Sequence, residues 1–222
     1  MIYGDGCVYI PVEKCATHSM RDVLQNAYGW RLLFGDGQPF PNVDLPVEWL
    51  LKRYPHIAPF VSVLAGMKGD AADVFTFAVC RNPYDRMVST WFDVTQKVAR
   101  FNAEILAEVG GIDFPVFVDW ATSRIIPDSA TSRRSLYQTQ SARIGKFRID
   151  KLLRFERLNQ DFAELPFARP DKLPPHLNRT SHDRRHWSTY YDDTTAAKVR
   201  EWAAADFDAF GYSADIDERD AA

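Results

Sequence analysis

The sequence predicts an α/β fold in which a parallel sheet is flanked by helices, and three observations predict it. Cys7-Val8-Tyr9-Ile10-Pro11 is a short β-branched and aromatic run that stops at proline. Val74-Phe75-Thr76-Phe77-Ala78-Val79 is almost wholly apolar, as expected of a strand covered on both faces inside a parallel sheet. Each run is followed by a short polar segment and then by residues at helical spacing, so the order strand, loop, helix occurs twice.

After the first strand, Lys14-Cys15-Ala16-Thr17-His18-Ser19 is small and polar and reads as a loop. Met20, Val23, Leu24 and Ala27 then give a helix over 19–26, with Gly29 as its stop. Residues 30–46 are rich in Gly and Pro and predict an irregular surface connection. Two short helices, 47–54 and 59–64, flank Pro55-His56, and Gly66 and Gly69 mark the break before the second strand. That strand runs straight into Arg81. Asn82 is a good N-cap and Pro83 a good first helical residue, and Tyr84, Met87, Val88, Trp91 and Phe92 repeat at helical spacing. Helical patterns follow at 114–124 and 134–142, then a strand at 151–155 with Glu156 opening another helix. Pro166, Pro170, Pro174 and Pro175 break the chain before a polar loop over 176–191. A final helix from Asp193 or Thr194 should bury Val199, Trp202, Ala203, Phe207 and Phe210 before Gly211, leaving a loose acidic tail from Asp215.

No flexible linker divides the 222 residues, so one domain over 1–222 is expected. Apolar residues at 46% supply an ample core. The 27 basic and 30 acidic side chains nearly cancel, so no overall field favours nucleic acid or an anionic membrane, and any anion site must be built locally. Cys7, Cys15 and Cys80 are odd in number and lack zinc-type spacing, which argues against a disulfide framework or a metal site and fits a reducing cytoplasm. Met1 to Gly6 lacks the pattern of a secretory signal, and no uncharged apolar stretch is long enough to span a bilayer, so stable membrane insertion is not expected.

In a parallel α/β sheet ligands bind at the carboxyl ends of the strands, and both polar loops fall there. Backbone N–H groups of Ala16, Thr17, His18 and Ser19 at a helix start suit an anion, with hydroxyls of Thr17 and Ser19 and the charge of Lys14 beside them. The second loop opens Phe77-Ala78-Val79-Cys80-Arg81-Asn82-Pro83-Tyr84-Asp85-Arg86-Met87-Val88-Ser89. Taken alone, Arg81 could instead pair with Asp85, and Ser89 could bond its own preceding turn. Arg86 suits bracing of the loop.

These two segments resemble the cofactor loops of the sulfotransferases that use 3′-phosphoadenosine 5′-phosphosulfate, the second one in its carbohydrate-type form. Leu153-Arg154-Phe155-Glu156-Arg157-Leu158, Leu177-Asn178-Arg179-Thr180-Ser181 and the closing stretch through Asp206, Phe207, Phe210, Gly211 and Tyr212 look like further parts of the same pattern. The resemblance implies a P-loop NTPase-like three-layer fold with a central parallel sheet flanked by helices. It also implies Lys14 through Ser19 on the 5′-phosphosulfate, Arg81 and Ser89 on the 3′-phosphate, and a hydroxyl of a saccharide, glycolipid or similar molecule as acceptor. Arg179, Arg184 or Arg185 could touch the phosphates. Glu13 stands where family members often carry proline, His18 where many carry Thr or Ser, and Ser135-Leu136-Tyr137-Gln138-Thr139-Gln140 lacks a His-aromatic pair.

In such a transfer the protein positions the reactants and neutralises the leaving group, a task for Lys14, while a base takes the acceptor proton. Of His18, His56, His176, His182 and His186, the resemblance favours His56, and His18 comes second for its place beside the reacting sulfate. No metal is required in this scheme. Two other classes remain open: a nucleotide kinase or NTPase, against which the missing Gly-x-x-x-x-Gly-Lys-Ser/Thr pattern counts, and a catalytically impaired protein that only binds the cofactor.

Overall fold

Asp5-Gly6 forms a two-residue turn. Asp5 (φ 48°) and Gly6 (φ 72°) both lie in the left-handed region, the conformation a two-residue hairpin turn needs. They join β1 (Ile2–Gly4) to β2 (Cys7–Ile10) with Ile2 opposite Tyr9 and Gly4 opposite Cys7. A Cβ on Gly4 would stand 2.2 Å from Trp30 Cδ1, so the missing side chain lets the indole lie on the strand. The Trp30 Nε1–H donates to Asp5 Oδ2 at 3.0 Å. The computed structural model describes residues 1–32, 75–96, 109–123, 138–145, 149–175 and 185–216.

The sheet has the order β3-β1-β2-β4-β5, with β3 at Arg31–Leu32, β4 at Phe75–Cys80 and β5 at Lys151–Arg154. β2, β4 and β5 are parallel, pairing Ile10 with Ala78 and Cys80 with Arg154. β1 is antiparallel to both of its neighbours, so the sheet is mixed where a parallel one is predicted. The reason is local: a two-residue turn can only return the chain antiparallel, whereas β2 reaches β4 across a long crossover.

The described residues fall into two compact units. The first comprises 1–12, 16–32, 75–80, 144–145 and 149–175 and holds the whole sheet. It also contains α1 (Thr17–Asp22), a π-type turn (Val23–Ala27) and the helix after β5, which begins as a 3-10 turn (Phe155–Arg157). Val8, Tyr9, Ile10, Phe77, Val79 and Leu153 are buried, which explains why these strands read as continuous apolar runs. Tyr28, Trp30, Phe162 and Phe167 add a ring cluster that reaches Phe77.

The second unit comprises 13–15, 81–96, 109–123, 138–143 and 185–216. Its central element is α2 (Pro83–Gln96), which opens as expected: Asn82 Oδ1 accepts the N–H of Tyr84 at 2.9 Å and Pro83 occupies the first turn. α3 (Phe114–Thr122) and α4 (Gln140–Ile144) follow. After α5 (Leu158–Ala163) of the first unit, the second resumes with a 3-10 turn at Trp187–Tyr190. The predicted final helix is two helices, α6 (Asp193–Trp202) and α7 (Ala204–Phe210), because the chain leaves the helical region at Ala203 (φ −103°, ψ 19°). Val199, Ala203, Phe207 and Phe210 are buried as expected, whereas Trp202 is half-buried. α1 starts two residues earlier than the predicted 19, since Ala16 takes the cap position.

Candidate functional site

At its carboxyl end β4 runs directly into Arg81, a charged side chain only 6% exposed. Burying a guanidinium requires that its N–H groups be matched. Nε donates to Asp85 Oδ2 at 2.7 Å, Nη2 lies 2.7 Å from the same oxygen, and Nη1 donates to the carbonyl of Lys14 at 3.0 Å. The backbone of Arg81 is clamped as well. Its N–H donates to Gln140 Oε1 at 2.9 Å, and Gln140 Nε2 donates back to its carbonyl at 2.8 Å.

Gln140 is itself fixed by Asp206, which is 1% exposed. Asp206 Oδ2 accepts the N–H of Gln140 at 2.8 Å, and Oδ1 accepts that of Ser141 at 2.7 Å, which anchors the start of α4. The Cys15 thiol donates to Gln140 Oε1 at 3.1 Å, so one glutamine serves both functional loops. Arg86 braces the Lys14 loop from its other side: Nε donates to the Glu13 carbonyl at 3.1 Å and Nη1 to that of Gln138 at 3.0 Å. This is the bracing role expected of it.

The Lys14 loop is bent rather than clamped. Lys14 (φ 66°) and Ala16 (φ 55°) both occupy the left-handed region without being glycine, a conformation that costs on the order of 1–3 kcal/mol per residue and persists only where neighbours enforce it. Arg81 and Arg86, each bonded to a carbonyl of this loop, supply that enforcement. The Lys14 ammonium lies 3.2 Å from Asp93 Oδ2, the two side chains 19% and 18% exposed. Glu13 meets Arg143 only at 3.9 Å, longer than a hydrogen bond.

Arg81, Asp85, Ser89 and Asp93 recur every four residues, so the last three share one face of α2. Asp85 ends at Arg81 and Asp93 at Lys14, with Ser89 between them. Ser89 is 8% exposed, and its hydroxyl takes no partner among the described residues, whereas Thr90 and Thr95 on the same helix bond the carbonyls of Arg86 and Trp91. The structure thus brings Lys14, Arg81 and Ser89 to one helix. It also realises the Arg81–Asp85 pair that the spacing allowed.

Ala16, Thr17, His18 and Ser19 follow in the other unit. Ala16 caps α1 with its carbonyl accepting the N–H of Met20 at 2.9 Å, Thr17 Oγ1 donates to the Val12 carbonyl at 2.8 Å, His18 is exposed and Ser19 is buried. The Thr17 hydroxyl therefore ties its own loop together. His186 acts as a cap: its Nδ1 sits 2.8 Å from Ser188 Oγ at the start of a 3-10 turn. His56, His176, His182, Arg179, Arg184 and residues 177–181 lie outside the described residues, as does Leu136; Arg185 is described, and its guanidinium lies over the Tyr190 ring.

Three residues of this cluster were not singled out by sequence reasoning. Asp93 was signalled by the four-residue spacing from Arg81. Gln140 and Asp206 had no local signal, because a clamp between residues 59 and 66 positions apart is created only by folding. The family model described as the sulfotransferase family matches residues 4–213. No curated protein and no solved structure matches the chain.

Proposed function

Since the chain belongs to the sulfotransferase family and is of its family 2 type, we propose that it transfers a sulfuryl group from 3′-phosphoadenosine 5′-phosphosulfate to a hydroxyl of a saccharide, glycolipid or similar acceptor. A single domain of P-loop-like three-layer architecture, working in the cytoplasm, is part of this reading. The observation that carries it is Ser89: a hydroxyl with no partner among the described residues, on a residue only 8% exposed and on the helix that the buried Arg81 precedes, suits a phosphate that accepts from both.

Arg81 and Ser89 hold the 3′-phosphate in this reading, and Lys14 with the backbone of Ala16, Thr17, His18 and Ser19 holds the 5′-phosphosulfate. The donor, when bound, supplies an activated sulfuryl group on a good leaving phosphate. Lys14 neutralises the charge that develops on the leaving oxygen, the largest service a preorganised cation renders in such a transfer. Arg81 keeps the donor in register, its fork braced by Asp85 and its backbone by Gln140. The acceptor proton goes to His56, an assignment that rests on the family resemblance, with His18, in the loop assigned to the reacting sulfate, as the second choice.

Calorimetric titration with 3′-phosphoadenosine 5′-phosphate, together with transfer of labelled sulfate from the donor, tests the reading. Binding with turnover is the expected result. Binding without turnover makes the chain an impaired cofactor-binding protein, and magnesium-dependent binding of ATP in its place makes it a nucleotide enzyme.

A further inference from the structure

We propose that Asp93 is the counter-ion the donor displaces from Lys14, a positioning residue that holds the ammonium until the donor's own charge arrives. The inference rests on the role given to Lys14 above and adds a resting state to it.

Two cations serve the site, and both already face a carboxylate, but by different geometries. Arg81 meets Asp85 through two nitrogens and spends a third on the Lys14 carbonyl, a fork that has to be dismantled to leave. Lys14 meets Asp93 through one ammonium at 3.2 Å, a point charge on a flexible stem that can turn to another anion without losing a fork. Its main chain stays in place meanwhile, because the carbonyl receives Arg81 Nη1 and φ is held at 66°. The lysine is therefore the exchangeable cation.

Asp93 is placed to resist the exchange. The Asp93 and Lys14 side chains are each about four-fifths covered, so their attraction is screened less than that of a surface pair. An incoming donor thus meets a Lys14 ammonium already paired with Asp93. Removal of the carboxylate charge should tighten binding of the anion, opposite to the usual result of deleting an ion-pair partner.

The test titrates 3′-phosphoadenosine 5′-phosphate into the full chain and into Asp93→Asn, Asp119→Asn, Lys14→Ala and the Asp93→Asn/Lys14→Ala double variant. Asp119 pairs with Lys198 on exposed side chains of the same unit and controls for the change in net charge. Asp93→Asn should bind roughly threefold to tenfold tighter, Asp119→Asn should match the parent, and the tightening should vanish in the Lys14→Ala background. Unchanged or weaker binding by Asp93→Asn, tightening that survives loss of Lys14, or failure of Asp93→Asn to fold makes Asp93 a structural residue and overturns the proposal. A parent chain that binds no 3′-phosphoadenosine 5′-phosphate overturns the donor reading itself, an outcome distinct from all of these.

Discussion

Around Arg81 the contacts are doubled: two nitrogens on Asp85, one on the Lys14 carbonyl, and a backbone clamped in both directions by Gln140. Around Lys14 the backbone is bent into the left-handed region, and the ammonium meets Asp93 as a point charge. The two loops thus divide the labour the family reading assigns them. In the proposed reading one is built to stay where it is and to recognise a phosphate that does not react. The other keeps its main chain fixed and leaves its charge free to change partners, as a group that answers a developing charge must do.

The most direct way to break this contrast is to remove each cation in turn. Arg81→Ala should weaken binding of 3′-phosphoadenosine 5′-phosphate on the order of 10²–10³-fold, since it deletes a charge-assisted fork and leaves Asp85 without its partner. Lys14→Ala should lower kcat for sulfate transfer on the order of 10²–10³-fold while affecting product binding far less, because its charge is needed most as the leaving group departs. Equal effects of both variants on both quantities would remove the distinction between the loops.

The clamp behind Arg81 is tested by Asp206→Ala. The carboxylate, 1% exposed, accepts two backbone N–H groups, and its loss should destabilise the protein by about 2–4 kcal/mol in urea denaturation. Donor binding should fall with it only as far as Gln140 shifts. Asp206→Asn keeps one acceptor oxygen and should recover part of the loss.

Much of this was legible before folding, and the boundary follows sequence separation. The strand-loop-helix order at β2 and β4, the Asn82 cap and the Gly211 stop come from near neighbours, whose preferences are written in adjacent residues. The β1 hairpin was legible too, in Asp5-Gly6, although it was not read. Lys14, Arg81 and Ser89 could be named because their segments resemble the family's cofactor loops, and such a resemblance is carried by adjacent residues. Gln140 and Asp206 could be noted only as parts of segments set against the family pattern and not as partners, since a glutamine and an aspartate become a clamp only when distant segments meet. Nor could the bend at Lys14 and Ala16, where neither residue type announces a positive φ.

Ser89 sharpens the contrast at a smaller scale. Its hydroxyl bonds nothing among the described residues, so Ser89→Ala should leave the urea midpoint within experimental error. Binding of 3′-phosphoadenosine 5′-phosphate should weaken about tenfold, the value of a hydrogen bond to a charged acceptor. A loss of stability equal to the loss of binding would mark Ser89 as a packing residue and withdraw the observation on which the donor reading stands.

The smallest effect belongs to a site remote in sequence from both loops. Asp192 caps α6: its carboxylate accepts the Thr195 N–H and hydroxyl, each at 2.7 Å, and Thr195 Oγ1 accepts the Asp192 N–H at 3.0 Å. The backbone bond from Thr195, and next the bond from its side chain, hold the Asp192 carboxyl below its ordinary value of 3.8. A depressed carboxyl means that the unfolded chain binds the proton more readily, so the contribution to stability is present above pH 3.8 and fades as the pH falls through the lower, folded value. At neutral pH Asp192→Ala should lower Tm by roughly 2–4 °C. That difference should shrink in acid below 3.8, and Asp192→Asn, an equally good cap without a charge to lose, should show a flatter dependence. Throughout the series, binding of 3′-phosphoadenosine 5′-phosphate should match the parent. A cap variant that weakened binding would show that the Arg81 end relies on the α6 terminus as well as on Gln140 and Asp206.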